Sequence, residues 1–127
     1  MQIIISNSSD IPIYQQIVNN IKHAILTGSL VGGEALPSIR TLAKDLRISN
    51  ITTKRAYEEL ERDGFIEAIA TKGYFVKKKN EEFRKEEILT RIEKSLLDAI
   101  HMALLYQVSK EEVISMIEVL YEEDNHE

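Results

Sequence analysis

In "IPIYQQIVNNIKHAILTGSL", Ile13, Ile17, Ile21, Ala24 and Ile25 recur at helical spacing, with Gln15, Asn19, Lys22 and His23 off the stripe. Pro12 stands near a helix start and Gly28 at a helix end, so this stretch predicts a first helix. "VGGEA" then reads as a turn, and Pro37 favours an extended Leu36 before it. Ser38 can cap "SIRTLAKDLR", where Ile39, Leu42, Ala43 and Leu46 form the apolar stripe. Ser49 is the next cap, after only a short connection. The helix behind it puts Thr53, Ala56, Tyr57 and Leu60 on one face and ends near Gly64. Two short helices so tightly joined predict a helix-turn-helix.

After Gly64 the period changes. In "FIEAIATKGYFVKKK", Phe65, Glu67 and Ile69 alternate with Ile66 and Ala68, and Tyr74-Phe75-Val76 is aromatic and β-branched. That predicts a β-hairpin with Lys72 and Gly73 at its tip. Beyond "KKKNEE" the pattern is helical again. Ile88, Ile92, Leu96, Ala99 and Ala103 make one long stripe. Ser109 and Glu112 form a capping-box pattern before a last helix carrying Val113, Met116, Ile117 and Leu120. Two helices bury little by themselves, so these residues are expected to pair with a second copy. The expected fold is mainly α with a small β hairpin (α+β): a winged helix-turn-helix domain over 1–79, then a two-helix dimerisation region over 80–127.

Composition narrows the functional classes. The 127 residues carry no cysteine, which removes disulfides, thiolate metal sites and a cysteine nucleophile. The start lacks a signal-peptide pattern, and "LLDAIHMALLYQV" is too short and too polar to span a bilayer, so a soluble cytoplasmic protein without membrane partners is expected. The net charge of −5 conceals a division. Up to Lys79 there are eleven Lys/Arg against eight Asp/Glu, a balance of +3; from Asn80 onward five stand against thirteen, a balance of −8. A polyanion is attracted to the first part and repelled by the second.

The run "GEALPSIRTLAKDLRISNITTKRAYEELERDGFIEAIATKGYFV" resembles the DNA-binding domain of GntR-family bacterial transcription regulators. The markers are Leu36-Pro37-Ser38, Arg40, Leu42-Ala43, Ala56-Tyr57-Glu58-Glu59-Leu60, Asp63-Gly64 and Gly73-Tyr74-Phe75-Val76, with the first helix matching upstream. The short tail ending in "VSKEEVISMIEVL" looks like the YtrA-type subfamily. That resemblance implies a dimeric regulator, a repressor at a palindromic operator, and target genes for ABC transporters. Two departures stand out. Thr71 occupies a wing position where the family usually has glycine. The helix start reads Ser49-Asn50-Ile51-Thr52, with Thr53 in place of a usual valine.

A helix meeting DNA by its N-terminus reaches furthest with its first turns. Asn50, Ile51, Lys54 and Arg55 are therefore candidates for base edges or the groove: Asn for adenine, Lys or Arg for guanine, an aliphatic chain for a thymine methyl. Ser49 and Thr52 suit phosphate oxygens. Arg40 contacts DNA by resemblance, and Lys72 and Gly73 can approach the minor groove or backbone. Ser38, in the same capping position one helix earlier, is a DNA-binding candidate as well; both serines would also cap a helix in any protein. Tyr57 reads as core, and Lys44, Arg47 and Arg62 as solvated. Glu58, Glu59, Glu61 and Asp63 keep the far end of the helix away from phosphate.

No enzyme is expected. His23, His101 and His126 lack partners at metal-ligand spacing, and "TGSLVGGEA" lacks the Gly-Lys-Ser/Thr of a phosphate loop. No cofactor is implied. The rival readings are a winged helix used as a protein-interaction adaptor, and an effector-responsive regulator with a ligand site at the dimer seam near Tyr106 and Gln107.

Overall fold

The structure, a computed structural model, describes residues 2–78 and 81–124. In chain order its elements are α1 (Ile13–Thr27), α2 (Ile39–Leu46), α3 (Asn50–Arg62), β1 (Ile66–Ile69), β2 (Gly73–Val76), α4 (Glu81–Leu105) and α5 (Lys110–Asp124). They fall into two units, Met1–Glu81 and Glu82–Glu127. The stretch expected to join them includes Lys79 and Asn80, and one of the three histidines is His126; these lie outside the described residues.

In the first unit, α3 packs against both α1 and α2. The core is built from Ile17, Val18 and Ile21 of α1, Leu42 of α2, Ala56, Tyr57 and Leu60 of α3, and Phe65, Ile66 and Val76 at the hairpin base. Pro12 precedes α1, and Gly28 ends it in the left-handed region at φ 87°, its N–H donating to the Ile25 carbonyl. β1 and β2 pair antiparallel, Ile66 opposite Val76 and Ile69 opposite Gly73. Phe65 and Ile66 are both buried and Ala68 and Ile69 both exposed, so the side-to-side alternation expected from Phe65 to Ile69 is not met. The base of this two-stranded hairpin packs on the core and its far end stands in solvent.

Two features go beyond the sequence reading. "VGGEA" is more than a turn: the Gly33 N–H donates to the Val76 carbonyl (2.7 Å), Val76 to Glu34 (2.8 Å) and Leu36 to Tyr74 (2.9 Å). This segment covers the open edge of β2, a non-local pairing that local residue preference does not reveal. The second is Gln16, a buried polar residue inside the α1 stripe. Its amide exchanges hydrogen bonds with the Ser6 backbone (2.8 and 2.9 Å) and donates to the Ile11 carbonyl (2.8 Å). The chain before α1 is thereby tied down, with Ile3 and Ile5 against the core.

The second unit comprises α4 and α5. The Glu112 N–H donates to Ser109 Oγ at 3.1 Å, capping α5. None of its described side chains is buried. Ile92 is 51 % exposed and Met116 56 %; Ile88, Leu96, Ala99 and Leu120 are also exposed, and Ala103, Val113 and Ile117 half-buried.

Candidate nucleic-acid interface

Both helices of the helix-turn-helix start with Ser-x-x-Thr, and both starts fold alike. Ser38 Oγ accepts the Thr41 N–H at 3.0 Å and donates to Thr41 Oγ1 at 2.9 Å. Ser49 Oγ accepts the Thr52 N–H at 3.0 Å and donates to Thr52 Oγ1 at 2.8 Å. Each serine is thus occupied as a cap, and each threonine hydroxyl keeps its proton for an outside acceptor. Thr41 was not among the sequence candidates; the repeated Ser-x-x-Thr spacing was the signal that could have found it.

The first turn of α3 divides cleanly. Thr53 is fully buried, and its hydroxyl donates to the Ser49 carbonyl at 3.2 Å, so the threonine in the usual valine position is satisfied within the helix. It belongs to the core. Asn50, Ile51, Lys54 and Arg55 are exposed, Ile51 at 81 %. Arg40, on the first turn of α2, is exposed too. Among the described residues, Arg40, Lys54, Arg55 and Lys72 form no ion pair, whereas Lys22 meets Asp63 at 2.8 Å. Arg55 lies over the Tyr14 ring, 3.8 Å from its centroid.

Tyr57 binds the elements bearing these candidates to one another. From the middle of α3 its hydroxyl donates to the Pro37 carbonyl at 2.7 Å, immediately before Ser38. Its ring meets Tyr74 of β2 edge-on, centroids 4.9 Å apart and planes at 74°. Burial raises the Tyr57 hydroxyl pKa well above its ordinary value, with neighbouring Tyr74 adding to the effect. Tyr74 is raised first by burial, then by the charges of Glu61 and Glu58. Both phenols are therefore neutral across the physiological range.

At the hairpin tip the Lys72 N–H donates to the Ile69 carbonyl at 3.0 Å. Thr71 takes φ 65° and Gly73 φ 109°. The backbone keeps the left-handed turn that glycine would favour, with threonine in it. A side chain added at Gly73 would meet no atom within 4 Å, so its backbone angle, not crowding, calls for glycine.

With these starts and this hairpin on one core, residues 13–76 match the family described as bacterial regulatory proteins, gntR family. The chain belongs to the GntR family. It is 35 % identical over 92 residues to the HTH-type transcriptional repressor YtrA of Bacillus subtilis, covering 72 % of this chain and 71 % of that protein. The Bacillus subtilis regulators YdeL and YdfD are matched over only 15 % and 14 % of their lengths. Among solved structures, YtrA from Sulfolobus acidocaldarius, a GntR-family transcription factor, is 34 % identical with a TM-score of 0.60, covering 98 % of this chain and 100 % of that one. A transcriptional regulator from Oenococcus oeni is 28 % identical with a TM-score of 0.77, covering 91 % and 96 %. The GntR chain is thus a winged-helix protein of a DNA-binding transcription-regulator class, not of an enzyme class. Among the described residues no helix is long and apolar enough to cross a membrane, and no metal-holding cluster of His and acidic residues occurs.

Proposed function

We propose that this GntR-family chain is a repressor that binds a palindromic operator as a homodimer in the cytoplasm, α3 entering the major groove by its N-terminus. The observation that carries the reading is Ile51: an aliphatic side chain 81 % exposed on the first turn of α3, beside Asn50 and the unpaired Lys54. It contributes little to folding where it stands, and a thymine methyl is its natural counterpart. Thr52, Thr41 and Arg40 then serve the phosphates from the two helix starts, which Ser49 and Ser38 hold as caps rather than as the phosphate donors expected of them, with Lys72 and Gly73 following from the hairpin. Dimerisation uses Ile88, Ile92, Leu96, Ala99 and Ala103 of α4 with Val113, Met116, Ile117 and Leu120 of α5. Two molecules related by a two-fold axis call for an operator with inverted repeats. On the family resemblance, ABC-transporter genes are the expected target class.

The test is duplex binding measured across a range of salt. Binding weakens steeply as salt rises, because each neutralised phosphate releases a counterion. Arg40→Ala lowers affinity and makes the log–log salt slope shallower by about one. Absence of any duplex binding at low salt would contradict the reading.

A further inference from the structure

We infer that Tyr14 is a positioning residue for DNA binding: its ring holds the Arg55 guanidinium on the α1 flank of α3, where the cation meets a backbone phosphate rather than a base edge. This rests on the DNA-binding reading above and adds a residue from outside the helix-turn-helix.

Arg55 follows Ile51 by one helical turn, so its stem leaves α3 within about 40° of the Ile51 direction. Left to itself the side chain would extend toward the groove, or fold back on the glutamates at Glu58 and Glu59, at ordinary pairing distances along a helix. It does neither. Its Cζ lies 3.8 Å from the centroid of Tyr14, the second residue of α1. One Glu59 carboxylate oxygen is buried without a hydrogen-bond partner, and Arg55 does not supply one. The aromatic face takes the cation in preference to the neighbouring acid.

Tyr14 is well placed to hold it. The ring is half-buried, one residue after Ile13 and three before Ile17, and Ile17 lies fully in the core against which α1 and α3 pack. A guanidinium lying on a ring uses its face and keeps its N–H donors around the edge. Among the described residues no carboxylate takes them in an ion pair. The result is a cation drawn sideways from the crest of α3 with its donors unused. A phosphate is the DNA group found beside a groove-bound helix, and a fixed guanidinium loses less side-chain freedom on meeting it.

The experiment uses the full-length chain and two fluorescent duplexes, one of mixed sequence and one enriched by the wild-type chain from a random pool, titrated over a range of salt. Arg55→Ala weakens binding to both duplexes by a similar factor, roughly three- to tenfold, and makes the salt slope shallower by about one. Tyr14→Leu weakens binding in the same range, Tyr14→Phe binds as the wild type, and Tyr14→Leu adds nothing once Arg55 is alanine. Thermal melts identify any variant that has lost its fold; where Tyr14→Leu has, Tyr14→Met takes its place in the same cycle with Arg55→Ala. If Tyr14→Leu binds like the wild type, or weakens binding equally with Arg55→Ala in place, Tyr14 does not act through Arg55. An Arg55→Ala loss confined to the enriched duplex would make Arg55 a base reader and overturn the phosphate assignment. A wild-type chain that binds neither duplex at low salt overturns the DNA-binding reading itself.

Discussion

Tyr57 shows how one side chain can be both core and scaffold. Its ring is fully buried, yet its hydroxyl reaches the Pro37 carbonyl at 2.7 Å and fixes the start of α2 against α3. Tyr57→Phe keeps the packing and leaves that carbonyl without its donor, so a loss of about 1 kcal/mol is expected in urea denaturation. The pH dependence has a definite sign. The folded chain holds the Tyr57 and Tyr74 hydroxyls above their ordinary value of 10.0, so both states keep them protonated below it and no stability is lost there. Above it the unfolded chain ionises first, and stability falls as pH rises toward the folded values. The same denaturation series run at alkaline pH should show a shallower decline in Tyr57→Phe than in the wild type.

The hairpin shows which parts of an element its own residues announce. The hairpin after Gly64, its aromatic Tyr74-Phe75 pair and its Lys72-Gly73 tip were legible because each is local, whereas the expected alternation of sides from Phe65 to Ile69 was not met. The backing of β2 by Gly33–Leu36 was not, since it depends on a partner some forty residues away along the chain. Gln16 was hidden for a related reason: a glutamine within an apolar stripe reads as solvated until the backbone of Ser6 and Ile11 is known to face it. Thr53 shows the reverse. Its placement on the core face followed from helical spacing, and the bond to the Ser49 carbonyl explains how a hydroxyl is tolerated there. At the tip, Thr71 holds φ 65°, a conformation that costs a β-branched residue about 1 kcal/mol. Thr71→Gly should therefore stabilise the protein by about that amount, seen as a raised urea midpoint with an unchanged slope.

At the scale of the whole molecule the chain divides by charge. The part up to Lys79 has a balance of +3 and the part beyond it −8, which keeps a polyanion on the first. In the second unit the apolar residues of α4 and α5 lie open in the single chain, Ile92 at 51 % and Leu120 at 51 %. If the proposed homodimer forms through these stripes, Ile92→Glu converts it to a monomer by light scattering at micromolar concentration, with the first unit still folded and duplex affinity reduced. A wild-type chain that is already monomeric would leave those stripes without a role.

In the proposed function a pair of α3 helices reads a symmetric DNA site through Asn50, Ile51 and Lys54. Selection of bound duplexes from a random pool by the full-length chain tests it most directly. One enriched motif with inverted-repeat symmetry is expected, altered at a single position of each half when Ile51→Ala is used in the selection. A pool that returns no motif above its starting composition would contradict it.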